Sequence, residues 1–395
     1  MSIKNNLVSI MSVVQNYRLY RSYSNQFKYY LKQLSIKNVP VSGESEYLKK
    51  WSVFTPHVEP YSYRLFSHFM GTDAHIIPED IGHTYIENVL NPLRYRDYYS
   101  DKNLYDERFI SGMLPITFIR RMGDSFLLNA DYGIIENFLE VKDELLSSKY
   151  EKLILKPTID SCSQRKAEFT SGNDMIDSCS GHGVMLFERK NDEYISKKEG
   201  VLLSEDFLLQ YGSDFILQEA LEQSPYMSNF NRTSVNTIRI ATYRSVKDES
   251  VNVTACVIRI GKMGEIVDNG HSGGNFVGIN PNSGELSSYA CDQYGHRSDV
   301  WNGINFKDNH FVIPNWEKII EFAKYIGRKN HHCRLLALDI AIAQDGNPKL
   351  IEYNVYAFGF WLFMFQGQKP FGTFTDEIIE YCLKRKNNSK KIQIV

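Results

Sequence analysis

The segment LLALDIAIAQDGNPKLIEYNV (335–355) consists of two apolar runs joined by Asp345-Gly346. A dipeptide of this type favours a two-residue turn between antiparallel strands. With that turn, counting back along both strands places Asp339 directly opposite Glu352, with both side chains on the same face. The segment therefore predicts a β-hairpin that carries two facing carboxylates near the C-terminus.

Alternation along this hairpin separates two kinds of side chain. Bulky residues occupy one set of alternating positions: Leu336, Leu338, Ile340 and Ile342. Small or acidic residues occupy the other set: Ala337, Asp339, Ala341 and Ala343. This predicts one core face and one floor of small residues with carboxylates, and Asn354 shares the face of Glu352. Opposed carboxylates repel one another unless a positive charge lies between them, and a hard cation suits oxygen ligands. Neutralising one carboxylate should then relieve the repulsion in the metal-free protein. The alternative is an acidic hairpin exposed to solvent.

The composition is that of an ordinary globular protein. A chain of 395 residues with 43% hydrophobic residues can bury a sizeable core in two or three structural units. Lys plus Arg (45) nearly balance Asp plus Glu (47), which gives no general reason to expect a nucleic acid or an anionic membrane as partner. Six cysteines without a CxxC pair fit a reduced, cytoplasmic setting. No stretch approaches the roughly 20 apolar residues that span a bilayer.

The predicted secondary structure changes along the chain. Helix-like segments at 16–34 and 62–70, interrupted by prolines, predict a mostly helical leading domain. From Tyr150 onward, short β-branched and aromatic runs alternate with helical patterns at 315–327 and 375–386. We interpret the chain as an α+β protein with much antiparallel sheet.

Asp339, Glu352 and Asn354 in this arrangement resemble the magnesium ligands of ATP-grasp enzymes. Taken in order, NTIRIATY, RIGKMGEIVDNGHSGGNFVGIN, IPNWEKII and the hairpin resemble the sugar-transfer-associated ATP-grasp family, over roughly residues 60 to 370. The resemblance implies an ATP-grasp fold, in which two α+β subdomains sandwich ATP, after a mostly helical N-terminal domain. The implied domains are 1–100 (helical), 101–213 (lysines and phosphate loop) and 214–395 (adenine linker and metal site).

The resemblance also implies roles for individual residues. Lys102 and Lys156 look like the phosphate-binding lysines, and Lys156 with Arg239 would be catalytic, although Arg239 could instead pair with a structural carboxylate. The segment SCSGHGV resembles the loop over the phosphates, with Ser180, Gly181 and Gly183. FILQEALEQ resembles the linker at the adenine base, with Gln218, Glu219, Ala220 and Leu221. Substrate contacts are expected at Asn236, Asp268, Asn269, Gly273 and Gly274.

Family resemblance implies a carboxylate–amine ligase that uses ATP and Mg²⁺ and works through an acyl phosphate. The expected substrate is a sugar acid or an amino acid in surface polysaccharide biosynthesis. The expected partners are a small molecule or glycan precursor and polysaccharide assembly enzymes, and no nucleic acid. An ATP-grasp phosphotransferase and a non-catalytic ATP-binding module stay open as alternatives.

Three features do not follow from the resemblance. The tetrapeptide DSCS occurs at 160–163 and again at 177–180, with a polar tract between that looks like a surface insertion. The stretch 355–372 is very aromatic and is unlike the family, which indicates an unusual acceptor pocket. GHSGG (270–274) matches the nucleophile elbow of serine hydrolases around Ser272, but the β-like sequence that follows argues against this interpretation.

Overall fold

The computed structural model describes residues 3–129, 131–147, 150–159, 183–265, 268 and 273–385. Both copies of DSCS and the tract between them lie outside the described residues. No helix in the described part of the chain is long and apolar enough to cross a membrane.

The N-terminal region is helical, as predicted. It contains α1 (Ile3–Gln33), α2 (Glu44–Trp51), α3 (Tyr61–Met70), α4 (Glu79–Ile81), a π-helical turn (Gly82–Ile86), α5 (Glu87–Leu90), α6 (Arg96–Ser100) and α7 (Tyr105–Arg108). Single 3₁₀ turns at Leu93–Tyr95 and Lys102–Leu104 connect the last of these. Aromatic side chains hold the bundle together, because Trp51, Tyr63 and Phe66 are fully buried.

Among the described residues, the first sheet has seven antiparallel strands in the order β3-β2-β1-β7-β4-β5-β6. The strands are β1 (Thr117–Met122), β2 (Ser125–Leu128), β3 (Gly133–Ile134), β4 (Lys152–Pro157), β5 (Met185–Lys190), β6 (Glu193–Ser196) and β7 (Asp214–Glu219). Helices α8 (Phe138–Ser147) and α9 (Glu205–Tyr211) bury apolar side chains against it. The last strand of this sheet ends at Glu219, beyond the predicted division at 213/214, and the domain limits stay a prediction.

The second sheet, again among the described residues, has the order β12-β11-β10-β9-β8-β15-β16 and is antiparallel throughout. Its strands are β8 (Thr237–Arg244), β9 (Val251–Ile260), β10 (Asn275–Ile279), β11 (Leu286–Cys291), β12 (Arg297–Ser298), β15 (Leu335–Ile342) and β16 (Pro348–Asn354). A small ribbon, β13 (Val300–Trp301) with β14 (Ile304–Asn305), lies beside it. The helices after β7 are α10 (Pro225–Ser228), α11 (Trp316–Lys329), α12 (Phe360–Met364) and α13 (Thr375–Lys384).

The two faces of β15 are both buried. Leu336, Leu338 and Ile340 belong to the core under α11, which confirms the predicted core face. Ala337 belongs to a second core, with residues of the N-terminal helices and of the aromatic stretch. The expectation of an open floor of small residues was therefore wrong for this end of the strand, because the N-terminal region covers it.

The hairpin between β15 and β16 has the predicted pairing of Asp339 with Glu352, but its loop differs from the predicted one. Asp339 lies opposite Glu352, as predicted, but the loop has three residues and not two, since the Ala343 N–H donates to the Asn347 carbonyl. Gly346 has φ +78°, a conformation that suits glycine at the end of a three-residue loop. The longer loop shifts the register by one residue, and a bulge in β16 between the partners of Asp339 and Ile340 shifts it back.

The aromatic stretch 355–372 attaches the N-terminal helices to the second sheet. Its large side chains are buried in one core with α1 and α3: Phe358, Phe360, Phe363, Phe365 and Phe371. Two glutamines in the same stretch bond the sheet backbone, because Gln366 donates to the Phe276 carbonyl and Gln368 to the Cys256 carbonyl. The stretch is thus part of the core, and its Gly359 borders the charged cluster described next.

Candidate active site

Each of the two opposed carboxylates has a cationic partner. Arg239, on the neighbouring strand β8, binds Asp339 with two hydrogen bonds, Nε to Oδ1 at 2.8 Å and Nη2 to Oδ2 at 2.6 Å. Arg259, on β9, adds a third bond to Oδ2 at 3.1 Å. Asp339 is only 2% exposed. The expected repulsion in the metal-free protein was therefore wrong, since two guanidinium groups neutralise this carboxylate.

Glu352 has its own cationic partner. The Lys102 ammonium lies 3.0 Å from Glu352 Oε2 and 3.4 Å from the carbonyl oxygen of Thr158. Burial raises the pKa of Glu352, but Lys102 first, and then Lys156 and Arg239, outweigh burial and lower that pKa to about 2. Glu352 is therefore ionised at neutral pH in the ligand-free chain.

Local packing explains how Lys102, far away in sequence, reaches the hairpin. Tyr105, which follows the 3₁₀ turn of Lys102, stacks on Tyr353 with ring centroids 5.1 Å apart. The backbone N–H of Lys102 donates to the carbonyl of Thr158, just after β4. These contacts bring Lys102 between the two sheets, with Lys156 at the end of β4 close enough to lower the pKa of Glu352.

Asp268 extends the cluster on its other side. Its carboxylate lies 3.3 Å from Arg259 Nη2 and accepts a hydrogen bond from the Thr237 backbone at 3.0 Å and another from the Thr237 hydroxyl. Burial raises the pKa of Asp268, against the lowering effect of Arg259. The described part of the cluster thus has four cations and three carboxylates: Lys102, Lys156, Arg239, Arg259, Asp268, Asp339 and Glu352. The excess of positive charge suits an anionic ligand.

The remaining predicted residues have different surroundings. Asn354 lies opposite Ala337 and two residues after Glu352, hence on the same face. Asn236 is fully buried, and its amide nitrogen donates to the carbonyls of Met227 and Asn231, so its position does not support direct contact with a substrate. Gly273 has φ +81° and immediately precedes Gly274 and β10.

The predicted adenine linker begins at the end of β7. Gln218 is buried and donates to the Thr117 hydroxyl at 3.1 Å. The N–H groups of Glu219 and Ala220 donate to the carbonyls of Ile116 and Lys152. These two amides belong to the sheet, and Leu221 follows directly.

Several predicted residues cannot be placed. Ser180, Gly181, Asn269 and Ser272 lie outside the described residues, while Gly183 is described, with φ +84°. The serine hydrolase alternative requires a helix directly after Ser272, whereas the strand β10 begins at Asn275.

Sequence reasoning missed Arg259. Arg259 lies inside the apolar run VNVTACVIRI (251–260), where it is partly buried between two fully buried residues, Ile258 and Ile260. A charged residue at such a position of a central strand is a usable signal, because an unpaired buried charge would be costly. Its partner could not be identified without the pairing of β9 with β8.

Comparison with known proteins shows the family of this chain. The family model described as sugar-transfer associated ATP-grasp matches residues 136–370, more than half of the chain. This chain belongs to the sugar-transfer associated ATP-grasp family. The predicted family and the α+β ATP-grasp fold, with its helical N-terminal region, are thereby confirmed.

Solved structures similar to this ATP-grasp chain are distant. They include an ADP complex of N5-carboxyaminoimidazole ribonucleotide synthetase (14% identity, TM-score 0.35, 68% of this chain and 50% of that one). D-cycloserine synthetase DcsG is similar at 11% identity (TM-score 0.38, 75% and 73%), and D-alanine-D-alanine ligase from Coxiella burnetii at 8% (TM-score 0.37, 73% and 58%). The chain thus spans about half the length of the first of these proteins. No curated protein matches the sequence.

Proposed function

We propose that this protein is an ATP- and magnesium-dependent carboxylate–amine ligase that works through an acyl phosphate. The observation that carries the proposal is the set of four cations around Asp339 and Glu352, between the two sheets of an ATP-grasp fold. Family membership supports the nucleotide, and the family's association with sugar transfer supports a sugar acid or an amino acid as substrate, in surface polysaccharide biosynthesis.

The cofactor would be held by oxygen ligands on one hairpin. Asp339, Glu352 and Asn354 supply the carboxylate and amide oxygens that a hard cation prefers. When bound, magnesium supplies positive charge to phosphate oxygens. Lys102 and Lys156 would turn toward the phosphates, so that Lys102 exchanges its partner Glu352 for an anion of the ligand.

The other predicted contacts complete the proposed nucleotide site. The phosphate loop would contribute Ser180, Gly181 and Gly183, and the adenine would lie against the backbone of Gln218, Glu219, Ala220 and Leu221. Since the N–H groups of Glu219 and Ala220 already bond the sheet, the base would use the carbonyls and the amide that follows. The substrate would lie near Asp268, Asn269, Gly273 and Gly274.

In the proposed reaction, an oxygen of the substrate carboxylate attacks the γ-phosphorus of ATP and ADP leaves. Arg239 would stabilise the acyl phosphate, because a guanidinium matches phosphate oxygens with two parallel N–H groups. The amine then attacks the acyl carbon, inorganic phosphate leaves, and the amine gives up a proton as the amide forms. A screen of sugar acids with amino acids for ADP release, followed by mass spectrometry of the product, tests this reaction. Absence of ADP release and of any new amide across the screen would contradict it.

Magnesium-ATP is expected to stabilise the folded chain. A ligand at about 100 times its dissociation constant adds roughly 2.7 kcal/mol to the free energy of unfolding. Thermal melts with magnesium-ATP, magnesium-GTP and magnesium alone measure the effect, and GTP should raise the melting temperature less. An unchanged melting temperature with saturating nucleotide would contradict an ATP site.

Lys156→Ala is expected to weaken ATP binding about tenfold or more while the protein stays folded, because one charge-assisted contact to phosphate contributes about 1.5–3 kcal/mol. Titration calorimetry with magnesium-ATP measures the affinity. Lys152→Ala is the matched control: Lys152 lies on the same strand, is 55% exposed and is 3.8 Å from Glu188. Equal ATP affinities for the two variants would remove Lys156 from the site.

A further inference from the structure

A buried ion triad lies in the N-terminal region, outside the cluster described above. The helical run 79–90 contains the π-helical turn Gly82–Ile86, a type of distortion that is frequent at functional sites. His83 lies in this turn, and both of its ring nitrogens contact carboxylates: Nε2 is 2.9 Å from Glu79 Oε2, and Nδ1 is 2.9 Å from Glu87 Oε2. Glu79, His83 and Glu87 form this triad.

His83 carries a positive charge although the triad is buried. The side chains of Glu79, Glu87 and His83 are 0%, 3% and 14% exposed. Burial lowers the pKa of His83, but Glu87 and Glu79 outweigh burial and raise that pKa to about 10. His83 therefore carries two N–H donors, one for each carboxylate. Two aromatic rings flank it, with centroids 5.6 Å away in Tyr23 and 5.3 Å away in Phe360.

The carboxylates of the triad also bind the backbone that follows the proposed metal ligands. The Trp361 N–H donates to Glu79 Oε1 at 2.6 Å. The N–H groups of Phe358 and Ala357 donate to the two oxygens of Glu87, at 2.8 and 3.2 Å. Three amides of the segment 357–361 are thus held by two side chains from the N-terminal region.

This segment does not have a conformation that the chain prefers by itself. Ala357 has φ +50° and Gly359 has φ +74°. For alanine, the left-handed region is unfavourable, so external contacts must stabilise the segment. The three hydrogen bonds from Ala357, Phe358 and Trp361 to the carboxyl oxygens of Glu87 and Glu79 are contacts of this kind.

The segment lies directly beside the charged cluster. A Cβ atom added to Gly359 would be 4.0 Å from Arg239 Nη1 and 3.8 Å from the indole nitrogen of Trp361. The Trp361 ring is partly buried and packs on Phe276, with centroids 5.7 Å apart. Arg239 and the Trp361 indole therefore lie on the side of Gly359 toward which a side chain would point, and this guanidinium is the one that binds Asp339.

We propose that Glu79, His83 and Glu87 are positioning residues that hold the segment 357–361 beside Arg239, so that Trp361 forms one wall of the acceptor pocket. The role of the segment as a pocket wall rests on the proposed ligase function, whereas its attachment to the triad does not. The indole offers an apolar face and one N–H donor, a combination that suits the ring of a sugar acid.

His83→Gln tests the attachment, with His75→Gln as the matched control. His75 also contacts two carboxylates in the same part of the fold, Asp73 at 2.7 Å and Asp376 at 3.2 Å, but Asp376 is 70% exposed. Hydrogen exchange of a peptide spanning 355–362 is the direct measurement. We expect exchange about tenfold faster in His83→Gln and unchanged in His75→Gln, with the β15 peptide unchanged in both.

Steady-state kinetics test the positioning role. With the sugar acid and amine that give the fastest ADP release, His83→Gln should raise the KM of the sugar acid about tenfold and leave the KM of magnesium-ATP unchanged. Glu87→Gln, which keeps one acceptor oxygen for the segment where Glu87 has two, should change the exchange and the KM of the sugar acid in the same direction, and it replaces His83→Gln if that variant does not fold.

The outcomes separate this proposal from the ligase proposal. Unchanged exchange at 355–362 in a folded triad variant overturns the attachment, and faster exchange with an unchanged KM of the sugar acid overturns the pocket wall. If the wild-type protein releases no ADP with any substrate, the ligase proposal fails, and the exchange experiment still decides whether the triad holds the segment.

Discussion

Asp339→Asn is expected to lower the free energy of unfolding of the ligand-free protein by about 3 to 5 kcal/mol, the cost of breaking a buried ion pair from one side. The substitution leaves Arg239 and Arg259 buried next to each other without the carboxylate that neutralises both. It should also abolish magnesium-dependent ATP turnover, because an amide is a poor substitute for a carboxylate on a hard cation. Urea denaturation without ligand, with ADP release measured in parallel, gives both numbers.

Glu249→Gln is the matched control for this prediction. Glu249 also binds two arginines, Arg244 at 2.9 Å and Arg334 at 2.6 Å, but it is 56% exposed. Its loss should cost at most about 1 kcal/mol, as for other exposed ion pairs, and should not change ATP turnover. Equal stability of Asp339→Asn and wild type would show that the two guanidinium groups do not depend on this carboxylate.

Lys102→Met is expected to lower the free energy of unfolding at neutral pH by about 3 kcal/mol, the lower end of the range for one partner of a buried pair, because Glu352 is 22% exposed. The folded pKa of Glu352 is lowered to about 2, so the carboxylate contributes stability above its unfolded pKa of about 4.3. That contribution is lost as the pH falls from about 4.3 to about 2. Without Lys102 the folded pKa rises, and the difference between variant and wild type should shrink over the same interval.

Urea denaturation at a series of pH values between neutral and about 2.5 measures this dependence. Lys50→Met is the control, since Lys50 is 2.6 Å from Asp376, whose side chain is 70% exposed, and its loss should cost less than about 1 kcal/mol. A loss of stability in Lys102→Met that stays constant over the whole pH range would exclude the ion pair as its cause. Lys102→Met should also weaken magnesium-ATP binding, because the ammonium would no longer be available to phosphate.

In the hairpin, the predicted pairing of Asp339 with Glu352 was correct, but the predicted loop length was not. Strict alternation identified the core residues Leu336, Leu338 and Ile340, because a strand has a period of two. The two-residue turn was wrong, and Asp339 still faces Glu352 because a bulge in β16 compensates for the third loop residue. A bulge adds one residue to one strand, and the alternation of apolar and polar residues in a strand as short as β16 does not reveal it, so sequence reasoning could not detect it.

The sequence by itself determined the features that depend on neighbouring residues: the helical N-terminal region, the antiparallel strands, and the hairpin that led to the ATP-grasp family. Only the tertiary structure decided which cations neutralise the carboxylates, since Arg239 and Arg259 reach them from other strands of the same sheet and Lys102 from a 3₁₀ turn that precedes the first sheet. The same holds for the triad, whose partners at 357–361 are more than 260 residues away in the chain. Charge pairing over such separations depends on how the strands and helices pack, and a single sequence contains no local pattern that records that packing.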